Sequence, residues 1–305
     1  MHARRSIARA GRSIAACTST VIAALLLYGA LAPRAGAQAG TDIWVAPFNA
    51  IGSRVEVGRP VNVTKRAGYD NQPAFTADGR ALLFTSVRED RQADIWRVSV
   101  VGGRAERVTT TPESEYSATP IPGREAFSVI RVERDSTQRL WRFENDGSNP
   151  SLVLRALRPV GYHVWLGDGL LGTFVLGSPN ALVMVDSRTE RADTLARDIG
   201  RALVKVPGRD AFTFLQIGRD SNVISEVDTR TNAVRPLFAA PAGADYHLWT
   251  KDGALIAAAG TRLLIRVGDR WDVLADFAEL GIRGISRLAL SPRGDRLAFV
   301  AEDPR

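Results

Sequence analysis

Eight side chains in this sequence could act together if one fold gathered them in one place. Glycines recur at Gly79, Gly123, Gly169, Gly208, Gly253 and Gly294, and seven residues before them stand Gln72, Tyr116, Tyr162, Arg201, Tyr246 and Arg287. The set holds three tyrosines, two arginines and a glutamine, with no apolar member. His163 and His247 follow two of the tyrosines, inside the matching segments YHVWLGDG and YHLWTKDG. Tyrosine and arginine combine contact area with directed hydrogen bonds and dominate binding hot spots. Two guanidinium groups suit a carboxylate or another planar anion through paired, parallel hydrogen bonds. The expected chemistry is recognition of a partner or a small anionic ligand.

Other chemistries fit less well. One position earlier come Asn71, Glu115, Gly161, Gly200, Asp245 and Ser286, where the two glycines are expected to leave space. As a metal pair, His163 and His247 would need Glu115 or Asp245 as a further ligand, and the intervening Arg201 disfavours a cation. Each histidine precedes a tryptophan by two residues, Trp165 and Trp249, so a packed, hydrogen-bonded histidine is the simpler reading. Neither has an identifiable nucleophile or water site to serve as a general base. The polar loops RED (88–90), ERDS (133–136) and GRDS (218–221) lack the dense alternation of oxygen ligands in dedicated calcium loops. They read as turns in which Asp and Ser bond the local backbone. No catalytic residue, metal or cofactor is assigned.

The elements that must position these residues form a repeat. Similar short apolar runs begin at Asp42 (DIWVAPF), Asp94 (DIWRVSV), Arg139 (RLWRFEN), Ala181 (ALVMVDS), Val223 (VISEVDT) and Arg262 (RLLIRVG), spaced 39 to 52 residues apart. Trp44, Trp96 and Trp141 occupy one place in three copies, and DSRTE (186–190) and DTRTN (228–232) are near-copies. Each unit has four short runs, the third and fourth meeting at one of the glycines. Asp-Gly between alternating apolar runs is a strong hairpin signal, because glycine tolerates the positive φ that the turn requires. Four strands at this period make one propeller blade.

Six copies predict an all-β fold: a six-bladed β-propeller of four-stranded antiparallel blades. The phase of the repeat also predicts how it closes. The chain begins with runs one and two (Asp42 to Thr64) and ends with runs three and four (Arg287 to Ala301). Joined by N- and C-terminal strand pairing, they complete one blade and remove two open edges. In a propeller the innermost strands line the channel, so the eight side chains are expected to converge at its mouth.

Residues 1–39 read as a secretory signal peptide: Arg4, Arg5, Arg9 and Arg12, then the apolar run Val21 to Ala32, then Ala37-Gln38-Ala39 as the cleavage pattern. The run has 12 residues, short of the ~20 that span a bilayer as a helix. The propeller, residues 40–305, is expected to be periplasmic or secreted, with no membrane span. The one cysteine of the sequence, Cys17, lies in the leader, which leaves the remainder without a disulfide framework or thiolate site. The net charge of +7 is mostly the leader's five arginines; without them 35 basic residues face 33 acidic ones. No nucleic-acid surface is implied.

ALSPRGDRLAFVAED (289–303), AFTADGRALLFTSVRED (74–90) and DIWRVSVVGGRAERVT (94–109) resemble the repeat of TolB-like propellers, a WD40-like family. The resemblance covers 42–142 and 285–303 and implies a periplasmic or exported binding scaffold. The first strand starts about two residues after the expected cleavage site. That leaves no room for the α/β domain that precedes a TolB propeller. A similar repeat shields the active site of prolyl-oligopeptidase-like enzymes, but no G-x-S-x-G elbow is present, and no hydrolase domain is expected. The expected function is non-enzymatic binding of an envelope or secreted protein, a peptide or a small anionic ligand by a monomer. The alternative is a propeller hydrolase or lyase with a metal or polar site in its channel.

Overall fold

The computed structural model describes residues 40–51 and 54–303; the expected leader, 1–39, lies outside the described residues. Strands dominate. The first three are β1 (Thr41–Ile51), β2 (Arg54–Val57) and β3 (Val61–Asn62). The first blade follows as β4 (Tyr69–Phe75), β5 (Ala81–Val87), β6 (Ala93–Ser99) and β7 (Glu106–Arg107). The second is β8 (Ser114–Pro120), β9 (Ala126–Val132), β10 (Gln138–Glu144) and β11 (Ser151–Leu152). The third is β12 (Val160–Trp165), β13 (Leu170–Val175), β14 (Ala181–Asp186) and β15 (Ala192–Arg197). The fourth is β16 (Ile199–Lys205), β17 (Ala211–Gln216), β18 (Val223–Asp228) and β19 (Val234–Ala239). The fifth is β20 (Tyr246–Trp249), β21 (Leu255–Ala259), β22 (Arg262–Val267) and β23 (Arg270–Asp276), and the chain ends with β24 (Ser286–Leu290) and β25 (Arg296–Glu302).

The sixth blade is the composite that the repeat phase predicts. β24 pairs with β25, β25 with β1, and β1 with β3, all antiparallel. The β1–β25 seam runs from Thr41 opposite Glu302 to Pro47 opposite Arg296. β25 therefore lies between a strand from each end of the chain, and Leu297, Ala298, Phe299, Val300 and Ala301 are fully buried. A single parallel pairing, Thr41 with Tyr69, links this blade to the first. β2 folds back on the far half of β1.

Alternation places successive residues of each second strand on opposite faces, so one strand serves two blade interfaces. Leu82 and Phe84 pack toward the sixth blade, whereas Leu83 packs toward the second. Phe127 and Val129 face the first blade, and Ile130 faces the third. Phe212 and Phe214 face the third blade, and Leu215 faces the fifth. The buried apolar residues accordingly fall into clusters that each occupy one blade interface. Each fully buried Phe contributes roughly 1.5–3 kcal/mol. Gly172 is glycine because a Cβ there would come within 3.0 Å of the Phe212 ring.

The near-copies noted in the sequence fold alike. Asp186 accepts the N–H groups of Arg188 and Thr189, and Asp228 those of Arg230 and Thr231. Likewise Asp90 accepts from Gln92 N–H and Asp135 from Thr137 N–H, the turn chemistry expected of those loops.

Candidate functional site

The inner strands β4, β8, β12, β16, β20 and β24 line a channel that gathers all eight anticipated residues. A mouth of about 400 Å³ is lined by Gln72, Tyr116, Tyr162, Arg201 and Arg287, together with Tyr69. An adjoining chamber of about 240 Å³ shares Gln72, Tyr162, Arg201 and Arg287 and adds His163, Tyr246 and His247. Neither lining contains an aspartate or a glutamate.

Arg287 sits at the centre of this arrangement. Its guanidinium lies 4.8 Å from the ring centroids of both Tyr162 and Tyr246 and donates from Nη2 to Tyr162 Oη at 3.0 Å. Such cation–π contacts hold the group without neutralising it. Its backbone is left-handed, φ 54°, a conformation that costs a non-glycine residue about 1 kcal/mol or more. Arg201 is exposed at the lip. Among the described residues neither arginine forms an ion pair. Burial pushes the hydroxyls of Tyr69, Tyr116 and Tyr246 upward, so the ring offers neutral phenols as hydrogen-bonding partners.

The histidines are built into the walls. His163 Nε2 lies 2.7 Å from Ser128 Oγ, which also accepts from Trp165 Nε1 at 2.9 Å and donates to the Thr119 carbonyl at 3.2 Å. His247 repeats the pattern: Nε2 lies 2.8 Å from Thr213 Oγ1, Trp249 Nε1 donates to that oxygen at 2.9 Å, and Oγ1 donates to the Val204 carbonyl. A hydroxyl has one proton and two lone pairs. With its proton on a carbonyl, it accepts from both ring N–H groups, which places the histidine proton on Nε2. Nδ1 of each is buried without a partner; as a lone pair it costs less than a stranded N–H. Burial depresses the two imidazoles to about 3 for His163 and about 4 for His247. They are neutral wall residues, as the histidine-before-tryptophan spacing suggests.

Three features differ from the sequence reading. First, aligning on the glycines slips by one residue in the second and fourth blades. There the hairpins turn on Pro122-Gly123 and Pro207-Gly208, with the closing N–H supplied by Arg124 and Arg209. In the first and sixth blades Gly79 and Gly294 themselves supply that N–H. The left-handed bulge residue is Gln72 in the first blade, Ser117 in the second and Arg287 in the sixth. Tyr116 thus stands one level above Gln72, and Ser117 lines the chamber. Second, Gly161 lines the mouth, whereas Gly200 lines neither the mouth nor the chamber. A Cβ on either would press on Phe174 and Leu176, or on Leu215, so glycine there admits the neighbouring strand. Third, Glu115 turns outward, where it meets Thr111 and Arg131, and burial raises its carboxyl. It is not available to a metal in the channel.

Tyr69 is the lining residue that the spacing rule missed. It precedes Gln72 by three residues, which simple alternation would place on the opposite face. The one-residue bulge between Asn71 and Ala74 restores it to the same side. Among the described residues no group of three or more His, Cys, Asp or Glu side chains is arranged to hold a metal ion, and no helix is long and apolar enough to cross a membrane.

No protein-family model matches the chain. An uncharacterized protein of Agrobacterium fabrum is 27% identical over 109 residues, which cover 33% of this chain and 37% of that protein. The match therefore spans little more than a third of the relative's length. Among solved structures, TolB from Agrobacterium tumefaciens superposes with a TM-score of 0.70 at 15% identity, over 88% of this chain and 100% of that one. A nidogen/laminin complex gives 0.57 at 12% identity, covering 86% and 98%. Oligogalacturonate lyase in complex with manganese gives 0.55 at 13% identity, covering 81% and 80%. The fold is thus a TolB-like β-propeller, and at these identities the likeness speaks to fold alone.

Proposed function

We propose that this protein is an exported, non-enzymatic binding propeller, periplasmic or secreted, whose channel mouth takes an anionic group of a partner protein, a peptide or a small ligand. The observation that carries this reading is the pair of arginines in an acid-free channel: Arg201 and Arg287 project into a lining without a carboxylate. A half-buried guanidinium held between tyrosine rings on a left-handed backbone is an arrangement that folding alone does not favour, and an incoming anion would satisfy it. The channel offers a concave, partly polar site.

Mature protein carrying Arg201→Ala and Arg287→Ala should lose capture of its envelope partner while its melting temperature stays close to that of the parent. The small stability change follows because neither substitution strands a buried carboxylate. Capture that survives both changes would place the site elsewhere. In the same preparations, stoichiometric Zn, Ca or Mn would instead favour the lyase or hydrolase alternative.

A further inference from the structure

Two pockets of mixed lining adjoin in the channel. Gln72, Tyr162, Arg201 and Arg287 line both the mouth and the chamber and so form a collar between them. Beside the collar the chamber wall includes Ala74, Ala118, Val164, Leu203 and Leu288. Both histidines in this lining are neutral and bonded through Nε2 to Ser128 and Thr213, while Ser117 Oγ is buried there without a partner. A cationic collar therefore borders a small pocket whose wall is aliphatic in part.

We propose that the ligand is an apolar carboxylate, whose carboxylate group is held at the Arg287–Arg201 collar while one compact hydrocarbon group enters the adjoining chamber against its aliphatic wall. This rests on the reading of the channel as an anion site and adds the chemistry of the ligand's other end. The guanidinium of Arg287 has its plane fixed by the two tyrosine rings and one N–H occupied by Tyr162. Its remaining donors form a planar fork, which matches a carboxylate. A tetrahedral dianion offers no hydrocarbon to the aliphatic wall, and placing its second charge there would strand it. The chamber volume of about 240 Å³ falls below the ~300–1,000 Å³ of drug-sized sites. It suits a single branched or aromatic side chain. The same chemistry is presented by the last residue of a peptide and by a free monocarboxylic acid.

Calorimetric titration of the mature protein at low salt tests this. The probes are acetate, N-acetyl-leucine, N-acetyl-leucine amide, and the peptide Gly-Gly-Gly-Gly-Leu with a free or amidated end. N-acetyl-leucine should bind roughly tenfold to a hundredfold more tightly than acetate, the gain expected from burying a leucine side chain. The amide should bind at least tenfold more weakly than the acid. Both differences should vanish in Arg287→Ala and shrink in Arg201→Ala, whose lip position keeps that variant informative if the first is unstable. Tighter binding of the free-ended peptide than of N-acetyl-leucine would support the proposal with a peptide C-terminus as the source; equal binding would support it with a free acid. Acetate binding as well as N-acetyl-leucine, with both dependent on Arg287, would overturn the apolar-carboxylate inference and leave the anion site standing. Binding of no probe, or binding indifferent to both arginines, would overturn the two together.

Discussion

The two wall histidines should make the stability of this propeller fall on mild acidification, and the size of the effect can be worked out. His163 and His247 are buried, and their folded pKa values are depressed from 6.5 to about 3 and about 4 by loss of solvent. Below pH 6.5 the unfolded chain takes up two protons that the folded chain refuses. The unfolded state then binds more protons, so stability rises with pH across this window and is lost as pH falls through it. At pH 5 the unfolded imidazole is 1.5 units below its own pKa while the folded one is still neutral. At about 1.4 kcal/mol per unit, each histidine removes about 2 kcal/mol between pH 7.5 and pH 5. The pair together removes about 4 kcal/mol, a large part of a typical domain's ~5–15 kcal/mol. Buried carboxyls act in the opposite direction. Asp70, Asp94 and Glu115 are raised by burial, so the folded state holds their protons more readily and gains stability as pH falls. A bare pH profile mixes the two signs, and comparison with His163→Gln and His247→Gln separates them. Urea unfolding at pH 7.5 and pH 5 should show the double variant losing about 4 kcal/mol less than the parent over that interval, with each single variant midway. Parallel profiles for parent and double variant would refute the assignment of both rings as buried and neutral.

Two further outcomes follow from the same architecture. Ser128→Ala and Thr213→Val each leave an indole and an imidazole N–H without an acceptor, so each should cost about 1–3 kcal/mol per stranded donor in urea titrations. Because the two hydroxyls lie in different blade interfaces, the double variant should be additive; an absence of loss would show that the shared hydroxyl is not the anchor. Deleting 285–305 removes β24 and β25, including the buried core of the seam with β1, and should abolish the cooperative melt. A melt near the full-length temperature would contradict closure by terminal pairing.

Much of this fold was legible because a propeller repeats its instructions. The recurrence of DIW-like runs and hairpin glycines specifies six blades, and the phase of the repeat specifies which halves meet across the seam. The convergence of Tyr, Arg and Gln was legible for the same reason: inner strands of equivalent blades must face one axis. What escaped the sequence was local geometry with no compositional mark. A Pro-Gly turn and an Asp-Gly turn both end a strand with glycine, yet the turn's closing N–H comes from Arg124 in one and from Gly79 in the other. That offset moves Tyr116 by one level. A bulge reverses the parity of alternation, which is why Tyr69 faces the channel. Ser128 and Thr213 are unremarkable as strand residues. Their partners stand 35 and 34 positions away on the next blade, a separation that only the folded ring makes short.

These wall contacts and the collar belong to one mechanical arrangement. In β12 the order Tyr162-His163-Val164-Trp165 alternates between two directions. His163 and Trp165 reach back to Ser128 of the second blade. Tyr162 and Val164 face the opposite way, toward the fourth blade and the channel. β20 does the same with His247 and Trp249 anchored on Thr213 and Tyr246 turned to the channel. Two tyrosines are thereby fixed from behind by buried hydrogen bonds that do not depend on any ligand. Between them lies Arg287, carried by a different blade and held at equal distance from both rings. The orientation of the guanidinium is thus settled before binding, so little side-chain entropy remains to be lost when an anion arrives. The third and fifth blades carry the anchors, the sixth carries Arg287 and the fourth Arg201, which makes the recognition element a property of the closed ring. Seam and site are in this sense one requirement: without β24 paired to β25, and β25 to β1, the arginine has no place between the tyrosines.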